Sequence, residues 1–442
     1  MSAPDIIIAL ATPPGVAALA LVRVSGAGTR ALLARHVRRL PAPRVATHVR
    51  FCAADGALVD DVVLTLWQAP ASYTGEDVAE ISCHGNPLIV ENILRALTVG
   101  GARLAGPGEF SRRAFLNGKL DLAQAEGLID LIHARSERAL RAARALQAGK
   151  LGALLLAARE RLLQVLAQLE AYIDFPDEDI APDVGENFRA QIARTRDTVR
   201  SLLASAREGQ LLRQGLTVAI SGAPNAGKSS LLNALLERDR AIVSATPGTT
   251  RDTIEEELLL AGVVVRLIDS AGLREGADEV ERLGIARARQ AIAGADLVLH
   301  LIDGSVATDE APPLTLPTDV PVITCLTKTD LPLQRTANAA LKISTVSGAG
   351  LAELKDAIVS ALRLNETGAT LDYLAISVRH EALLRDADAH LTAALDASVS
   401  GAAPEFISSD LRLALAACGQ IVGTVTNEDV LDRVFQNFCL GK

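Results

Sequence analysis

Cysteine, aromatic residues and excess positive charge are all scarce in this chain of 442 residues. The five cysteines, Cys52, Cys83, Cys325, Cys418 and Cys439, are dispersed, with no CxxC pair and no spacing that suits zinc. That pattern excludes a disulfide framework and predicts free thiols in a reducing compartment. Aromatic side chains are only 3% of the residues, so the core must be built from Leu, Ala, Val and Ile. A formal net charge of -9 excludes attraction to nucleic acid through the bulk field and leaves only a local basic patch for such contact. Apolar runs stay short of the roughly 20 residues that a membrane-spanning helix needs. The opening MSAPDIIIALATPPGVAALALV lacks a basic start and is broken by Pro13-Pro14-Gly15, so it does not read as a signal peptide. A soluble, cytoplasmic protein without a membrane partner is expected.

What is present is apolar residues at 49% and charged residues at 22%, enough for a sizeable core, in a length that suggests about three domains. Residues 1–118 carry short β-like runs (Asp5–Ala11, Ala18–Val24, Asp61–Trp67) and one helical run after Pro87, a mixed α/β module. Residues 119–213 turn helical, interrupted by the acidic, turn-rich YIDFPDEDIAPDVG. In residues 214–370 the β-runs LTVAIS, VVVRLIDS, LVLHLID, VPVITCLTK and LKISTV alternate with helical segments, the mark of a parallel α/β sheet. Residues 371–442 are helical again. The reading is a multidomain chain whose α/β domain is inserted between two halves of one helical domain.

The stretch TVAISGAPNAGKSSLLNALL carries the strongest signal. Gly222, Gly227, Lys228 and Ser229 satisfy G-x-x-x-x-G-K-[ST] between a strand-like and a helix-like run. Such glycines let backbone N–H groups close around phosphates, while Lys228 reaches the outer phosphates and Ser229 can bind Mg²⁺. Asp269 and Gly272 follow in IDSAG, at a strand end where a carboxylate can hold the metal and an amide can meet a γ-phosphate. In TKTD, Asp330 can accept from the ring N–H and amino group of guanine, donors that adenine does not pair. In this order the elements specify a Ras-like P-loop GTPase. Leu273 stands where a water-orienting glutamine is usual. Asn225 together with the long AIVSATPGTTRD segment resembles the potassium-dependent GTPases, in which K⁺ offsets transition-state charge.

Beyond these motifs, PASYTGEDVAEISCHGN, PGEFSRRAFLNGKLDLAQAEGLIDLI, DSAGLREGADEVERLGI and FCLGK make the chain similar, over essentially its whole length, to the MnmE (TrmE) family of bacterial tRNA modification GTPases. The resemblance implies an amino-terminal domain of folate-binding type that forms a homodimer, a helical domain and an inserted G domain. It also implies a flavoprotein partner, MnmG (GidA), and the wobble uridine of certain tRNAs as the modified base. By position, Arg23, Glu80, Lys119 and Lys442 match residues at the 5-formyltetrahydrofolate site. Asn225, Ala226, Gly227, Lys228, Ser229, Ser230, Ser244, Thr249, Thr250, Asp269, Gly272, Lys328 and Asp330 match GTP contacts. Ser229 and Thr250 match Mg²⁺ ligands; Asn225, Ser244, Thr246 and Thr249 match the K⁺ site; Glu281 matches the acid that positions the attacking water. Thr327 replaces the asparagine usual in the guanine motif, so that residue's amide contact is expected to be lost. Asn86 stands where a second glycine is common.

Bland readings compete at several positions. Taken alone, Cys439 reads as a small buried hydrophobe; the family tail FCLGK instead puts a functional thiol near the folate. FQNFCLGK also places Phe435 and Phe438 three apart on a helical face, able to anchor the segment that carries Cys439. His84 beside Cys83 is read as structural, because adjacent strand residues face opposite ways. Arg135, Arg138, Arg141 and Arg144 form a basic stripe read as a solvated helix face, with an RNA backbone contact as the alternative. A ribosome-assembly GTPase would need an RNA-binding module such as a KH domain with a GXXG loop, and the sequence offers no credible module of that kind.

Overall fold

The computed structural model describes residues 5–174, 186–223, 225–239, 255–269, 294–307, 320–335, 340–362, 374–424, 428–436, 438–439 and 441. The chain forms two compact units: Met1–Ile129 with Gln147–Ile192 and Ala393–Lys442, and Asp130–Leu146 with Ala193–Thr392.

The first unit is built on the strands β1 (Ile6–Leu10), β2 (Ala17–Ser25), β3 (Thr47–Cys52), β4 (Leu58–Trp67), β5 (Val78–Gly85) and β6 (Ala102–Leu104). They make one sheet in the order β3-β4-β5-β2-β1-β6, antiparallel except for the β1–β6 pair. Alternation along β4 buries Asp60, Val62, Leu64 and Leu66 and turns Asp61 and Val63 outward. The buried face is covered by α1 (Thr29–Leu33) and α2 (Pro87–Val99), whose Leu32, Leu33, Ile93 and Leu97 share one core with Val22, Leu64 and Ile81. Asn86 caps α2, its side chain accepting from Leu88 N at 2.9 Å, which gives this residue a local reason to replace glycine. The helices α3 (Glu109–Leu116) and α4 (Leu122–His133) follow the sheet.

The helical run expected beyond Lys119 is broken after α4, and α5 (Glu137–Gln147) starts anew. Ser136 caps it: its hydroxyl accepts from Ala139 N at 3.1 Å. Next come α6 (Lys150–Asp174), α7 (Glu186–Ala204) and α8 (Ala206–Gln214).

The second sheet contains β7 (Leu216–Gly222), β8 (Glu255–Leu260), β9 (Val263–Asp269), β10 (Leu297–Asp303), β11 (Val322–Thr327) and β12 (Leu341–Lys342), with α9 (Lys228–Asp239) and α10 (Leu351–Ala361). Its order is β12-β11-β10-β7-β9-β8, parallel except at β8. The near-continuous apolar runs that predicted parallel strands pack as Val218, Ile220, Leu267, Leu299 and Leu301 in one core with Leu231 and Leu235 of α9. The chain closes with α11 (Val378–Ser400), α12 (Pro404–Val422) and α13 (Glu428–Gln436). Helix α12 packs along α6, and Arg412 there donates to Glu170 at 2.7 Å. Among the described residues, no helix is long and apolar enough to cross a membrane.

Four carboxyls carry a pH dependence. Burial raises the pKa of Asp5, Asp60, Glu109 and Asp303, but bonds from Arg103 and Arg113, His84, Arg103 with Gly106, and Lys328 with Ser305 outweigh it, so all four lie below their ordinary values. A lowered folded pKa contributes stability that is present above the unfolded value and is lost as pH falls through the folded one. With ordinary values of 3.8 for Asp and 4.5 for Glu, Tm is expected to hold from pH 7 to about 5 and to fall steeply below pH 4. A thermal melt series across that range checks this; a Tm unchanged down to pH 3 would show that these bonds contribute nothing.

Candidate functional site

Four strand ends meet along one edge of the second sheet: Gly222 on β7, Asp269 on β9, Asp303 on β10 and Thr327 on β11. Register fixes this convergence, pairing Gly222 with Leu301, Ile220 with Asp269, and Asp303 with Thr327. Strand β7 lies where the order reverses, with β9 and β8 on one side and β10, β11 and β12 on the other. Open α/β sheets bind ligands at the carboxyl ends of their strands, at such a switch point.

The turn after β7 leads directly into α9. Asn225 and Gly227 hold positive φ, +64° and +93°, so successive amides of the loop and of the first helical turn can aim at one anion. Asparagine is among the few side chains that accept this backbone readily. Lys228 is buried, and its ammonium donates to the carbonyls of Gly222 and Ala223, each at 2.8 Å. A fixed cation beside a nest of amides suits a polyphosphate. Ser229 and Ser230 are exposed on the first turn of α9.

The guanine motif joins this loop through Thr327. That residue is buried, and its hydroxyl lies 2.8 Å from Ala226 O and 3.2 Å from Ile302 O. One proton serves one acceptor at a time, and the shorter contact is to the loop. The threonine hydroxyl therefore ties the guanine motif to the phosphate loop. Lys328 holds φ +57°, and its ammonium pairs with Asp303 at 2.6 Å. Asp303 also accepts from the amide and hydroxyl of Ser305 at 2.9 and 2.6 Å. Asp330 is exposed, and its Oδ1 accepts from the Ser344 hydroxyl at 2.6 Å, a bond that engages one of its two carboxylate oxygens. Ser344 is itself fixed, its amide donating to Ala349 O at 2.9 Å.

Asp303, Ser305 and Ser344 were not singled out by sequence reasoning. Their signals were present: IDGS ends an apolar strand, and a serine ends the run LKIS before the glycine-rich SGAG. Of the residues expected at this site, Ser244, Thr246, Thr249, Thr250, Gly272 and Glu281 lie outside the described residues, and Asp269 is described only as the last residue of β9. The expected Mg²⁺ and K⁺ sets are thus represented here by Ser229 and Asn225 alone.

A second constellation lies on the face of the amino-terminal sheet opposite α1 and α2. Arg23 and Glu80 are cross-strand partners on β2 and β5, joined by Nη2–Oε1 at 2.8 Å and Nε–Oε1 at 3.1 Å. The guanidinium lies 5.5 Å from the Tyr73 ring centroid and 5.9 Å from that of Phe110, and it donates to Gly441 O at 3.1 Å. Gly441 has φ +88°, and a Cβ there would come within 2.6 Å of Leu10 O, so only glycine fits. Lys119 is brought to the Pro70–Gly75 loop rather than to Arg23: its ammonium donates to Pro70 O at 3.0 Å and its stem runs beside Gly75. Tyr73 of that same loop flanks Arg23. A salt-bridged guanidinium between two aromatic rings can hold a planar, polar ring system or a carboxylate. Lys442 lies outside the described residues.

Phe435 and Phe438 are buried with Leu122, Ala125 and Leu431, and Phe435 also meets Phe115 at 6.4 Å between centroids. Cys439 is exposed, two residues from the carbonyl that Arg23 holds. Burial instead pushes the Cys83 and Cys418 thiols up to about 11 and Cys325 up to about 12. Cys83 and His84 do face opposite ways; Cys83 is buried, while His84 points outward and binds Asp60 through Nδ1 at 2.8 Å. The basic stripe, with Arg135 just before α5 and Arg138, Arg141 and Arg144 on it, is largely exposed, but two of its members are engaged. Arg135 pairs with Glu257, and Arg138 donates to Ala261 O at 2.9 Å, so both grip the β8–β9 hairpin.

Two family models match this chain: the MnmE helical domain over residues 122–439, and the GTP-binding protein TrmE N-terminus over residues 6–119. Among curated relatives, the tRNA modification GTPase MnmE of Akkermansia muciniphila is 45% identical, covering 99% of this chain and 98% of its own. The proteins of the same name from Opitutus terrae and Chloroflexus aurantiacus are 44% and 43% identical, each over 99% of this chain and 99% and 100% of theirs.

Proposed function

This chain belongs to the MnmE family of tRNA modification GTPases, and from that membership we propose that it hydrolyses GTP to drive modification of carbon five of the wobble uridine in certain tRNAs. The observation that carries the reading is the hydroxyl of Thr327 on Ala226 O, which supports a single site shared by the guanine motif and the phosphate loop. In this reading the loop amides bind the phosphates, Lys228 neutralises the outer ones, and Asp330, oriented by Ser344, accepts from guanine. Mg²⁺ on Ser229 and Thr250, and K⁺ on Asn225, Ser244, Thr246 and Thr249, would supply positive charge against the phosphates. Glu281 would hold the attacking water. Donors of the hydroxyl, amide and carbonyl class suit both ions.

The amino-terminal domain would hold a tetrahydrofolate one-carbon donor such as 5-formyltetrahydrofolate at Arg23, Glu80, Lys119 and Lys442. The rings of Tyr73 and Phe110 around the Arg23 guanidinium support a planar ligand there. We further propose residues 1–118, 119–213, 214–370 and 371–442 as the domain segments, a cytoplasmic homodimer, and the flavoprotein MnmG as the partner in the uridine chemistry. The deciding experiment is nucleoside analysis of tRNA from cells that lack this protein. Loss of the aminomethyl-type wobble uridine is expected, and an unchanged nucleoside profile would overturn the assignment.

The cation gives a second test. Asn225 in the phosphate loop, together with Leu273 in place of a water-orienting glutamine, leads us to expect GTP hydrolysis at least tenfold faster in K⁺ than in Na⁺. Equal turnover in the two salts would remove K⁺ from the mechanism.

A further inference from the structure

From Ile6 to Ala54 the chain carries seven arginines, two histidines and neither aspartate nor glutamate, in a protein of net charge -9. At the chain's average acid content, a span of this length would hold about six carboxylates. Arginine carries no signal by itself, because it outnumbers lysine throughout the sequence; the missing acid does.

Three of the seven are occupied. Arg23 holds Glu80, Arg50 lies 3.6 Å from Asp61, and Arg44 reaches Ala71 O at 3.4 Å. Arg30, Arg35, Arg38 and Arg39 make no ion pair and no side-chain hydrogen bond among the described residues, and the last three are exposed. They sit on α1 and the turn that follows it, which is held firmly in place. Leu32, Leu33 and Val37 are buried in the sheet core, and the buried His36 ring stacks on Phe51 at 5.2 Å with an 8° interplanar angle. His36 Nδ1 lies 2.9 Å from Cys52 O, and Cys52 N donates to His36 O at 2.8 Å. The cations therefore stand on a fixed scaffold, with no carboxylate beside them in the sequence.

We propose that this turn is a contact for the phosphate backbone of RNA, and, on the reading that tRNA is the substrate, a tRNA-docking surface. A polyanion fits better than an acidic protein, because no large hydrophobic side chain is exposed between Thr29 and Arg44, whereas protein interfaces centre on apolar anchors. The stripe from Arg135 to Arg144 fits less well, since Arg135 and Arg138 are already engaged.

The test replaces Arg35, Arg38 and Arg39 together by glutamine in the full chain and follows binding of an unmodified tRNA transcript by fluorescence anisotropy between 50 and 200 mM KCl. Each lost phosphate contact lowers the log–log salt slope by roughly 0.7 to 0.9, so the slope is expected to fall by about two and affinity at low salt by roughly tenfold or more. GTP turnover should not change. A triple lysine variant keeps the charge and is expected to keep the slope; if the glutamine variant fails to fold, that variant and Arg38→Gln alone, with a slope lower by about one, decide the matter. Unchanged slope and affinity overturn the proposal, as does a glutamine variant that loses only binding to an acidic protein partner. The nucleoside analysis judges the tRNA reading separately: a patch that fails here leaves that result intact, and a slope that falls in its absence leaves an RNA contact without the uridine chemistry.

Discussion

Asp330→Asn is expected to weaken GTP binding by roughly a thousandfold and to create affinity for xanthosine nucleotides. Guanine offers a ring N–H and an amino group, and a carboxylate accepts both. An amide replaces one of those acceptors with a donor and faces the base with a clash. Two charge-assisted hydrogen bonds at about 1.5–3 kcal/mol each account for a loss of that order. Xanthine carries an oxygen in place of the amino group, so the asparagine amide can donate to it. Sites that read a base by hydrogen bonds reject analogues strongly, because the unmatched groups stay desolvated. The Ser344 hydroxyl, 2.6 Å from Asp330 Oδ1, fixes the carboxylate for this task, and both Asp and Asn can accept that bond. Titration with fluorescent GTP and xanthosine analogues checks the exchange. Should ATP compete well with GTP in the unmodified protein, the guanine assignment fails before any mutation is made.

Cys439→Ser is expected to abolish wobble-uridine modification while leaving folding and GTP turnover within about twofold of wild type. The thiol is exposed, so its replacement opens no cavity. The segment is anchored by Phe435 and Phe438, which the substitution does not touch. The position matters because Arg23 of the Arg23–Glu80 pair holds Gly441 O at 3.1 Å, two residues along the chain from Cys439. Cys83 and Cys418, held up to about 11, and Cys325, held up to about 12, remain buried thiols at neutral pH and offer no substitute nucleophile. GTP turnover and modified uridine are measured side by side. Full modification would return Cys439 to the class of ordinary thiols, and joint loss of both activities would make it a packing residue.

Much of the fold was readable because its signals are local. Alternation along LVDDVVLTLW gives a half-buried strand, the continuous run LVLHLID gives a strand buried on both faces, and Pro87 after Asn86 starts a helix. The break between α4 and α5 was missed for an equally local reason. Apolar periodicity continues across Ala134–Ser136, and the Ser136 cap is a weaker mark than the pattern around it. The basic stripe is largely exposed, as expected of a solvated face, but nothing near Arg135 and Arg138 says that Glu257 and Ala261, more than a hundred residues later, meet these two.

The sequence by itself determined the chemistry on offer. A phosphate loop, a strand-end aspartate, a guanine-reading carboxylate and the order in which they occur are contiguous patterns, set by backbone freedom at Gly222 and Gly227 and by the period of the strands around them. Only the tertiary structure decided how these parts are joined. The Thr327 hydroxyl reaches Ala226 because β7, β10 and β11 lie side by side in register. Asp303 meets Lys328, Ser344 meets Asp330 and Arg23 meets Glu80 for the same physical reason. A hydrogen bond depends on distances of about 3 Å between atoms, and such distances between remote residues follow from strand order and register, which no single stretch of sequence contains.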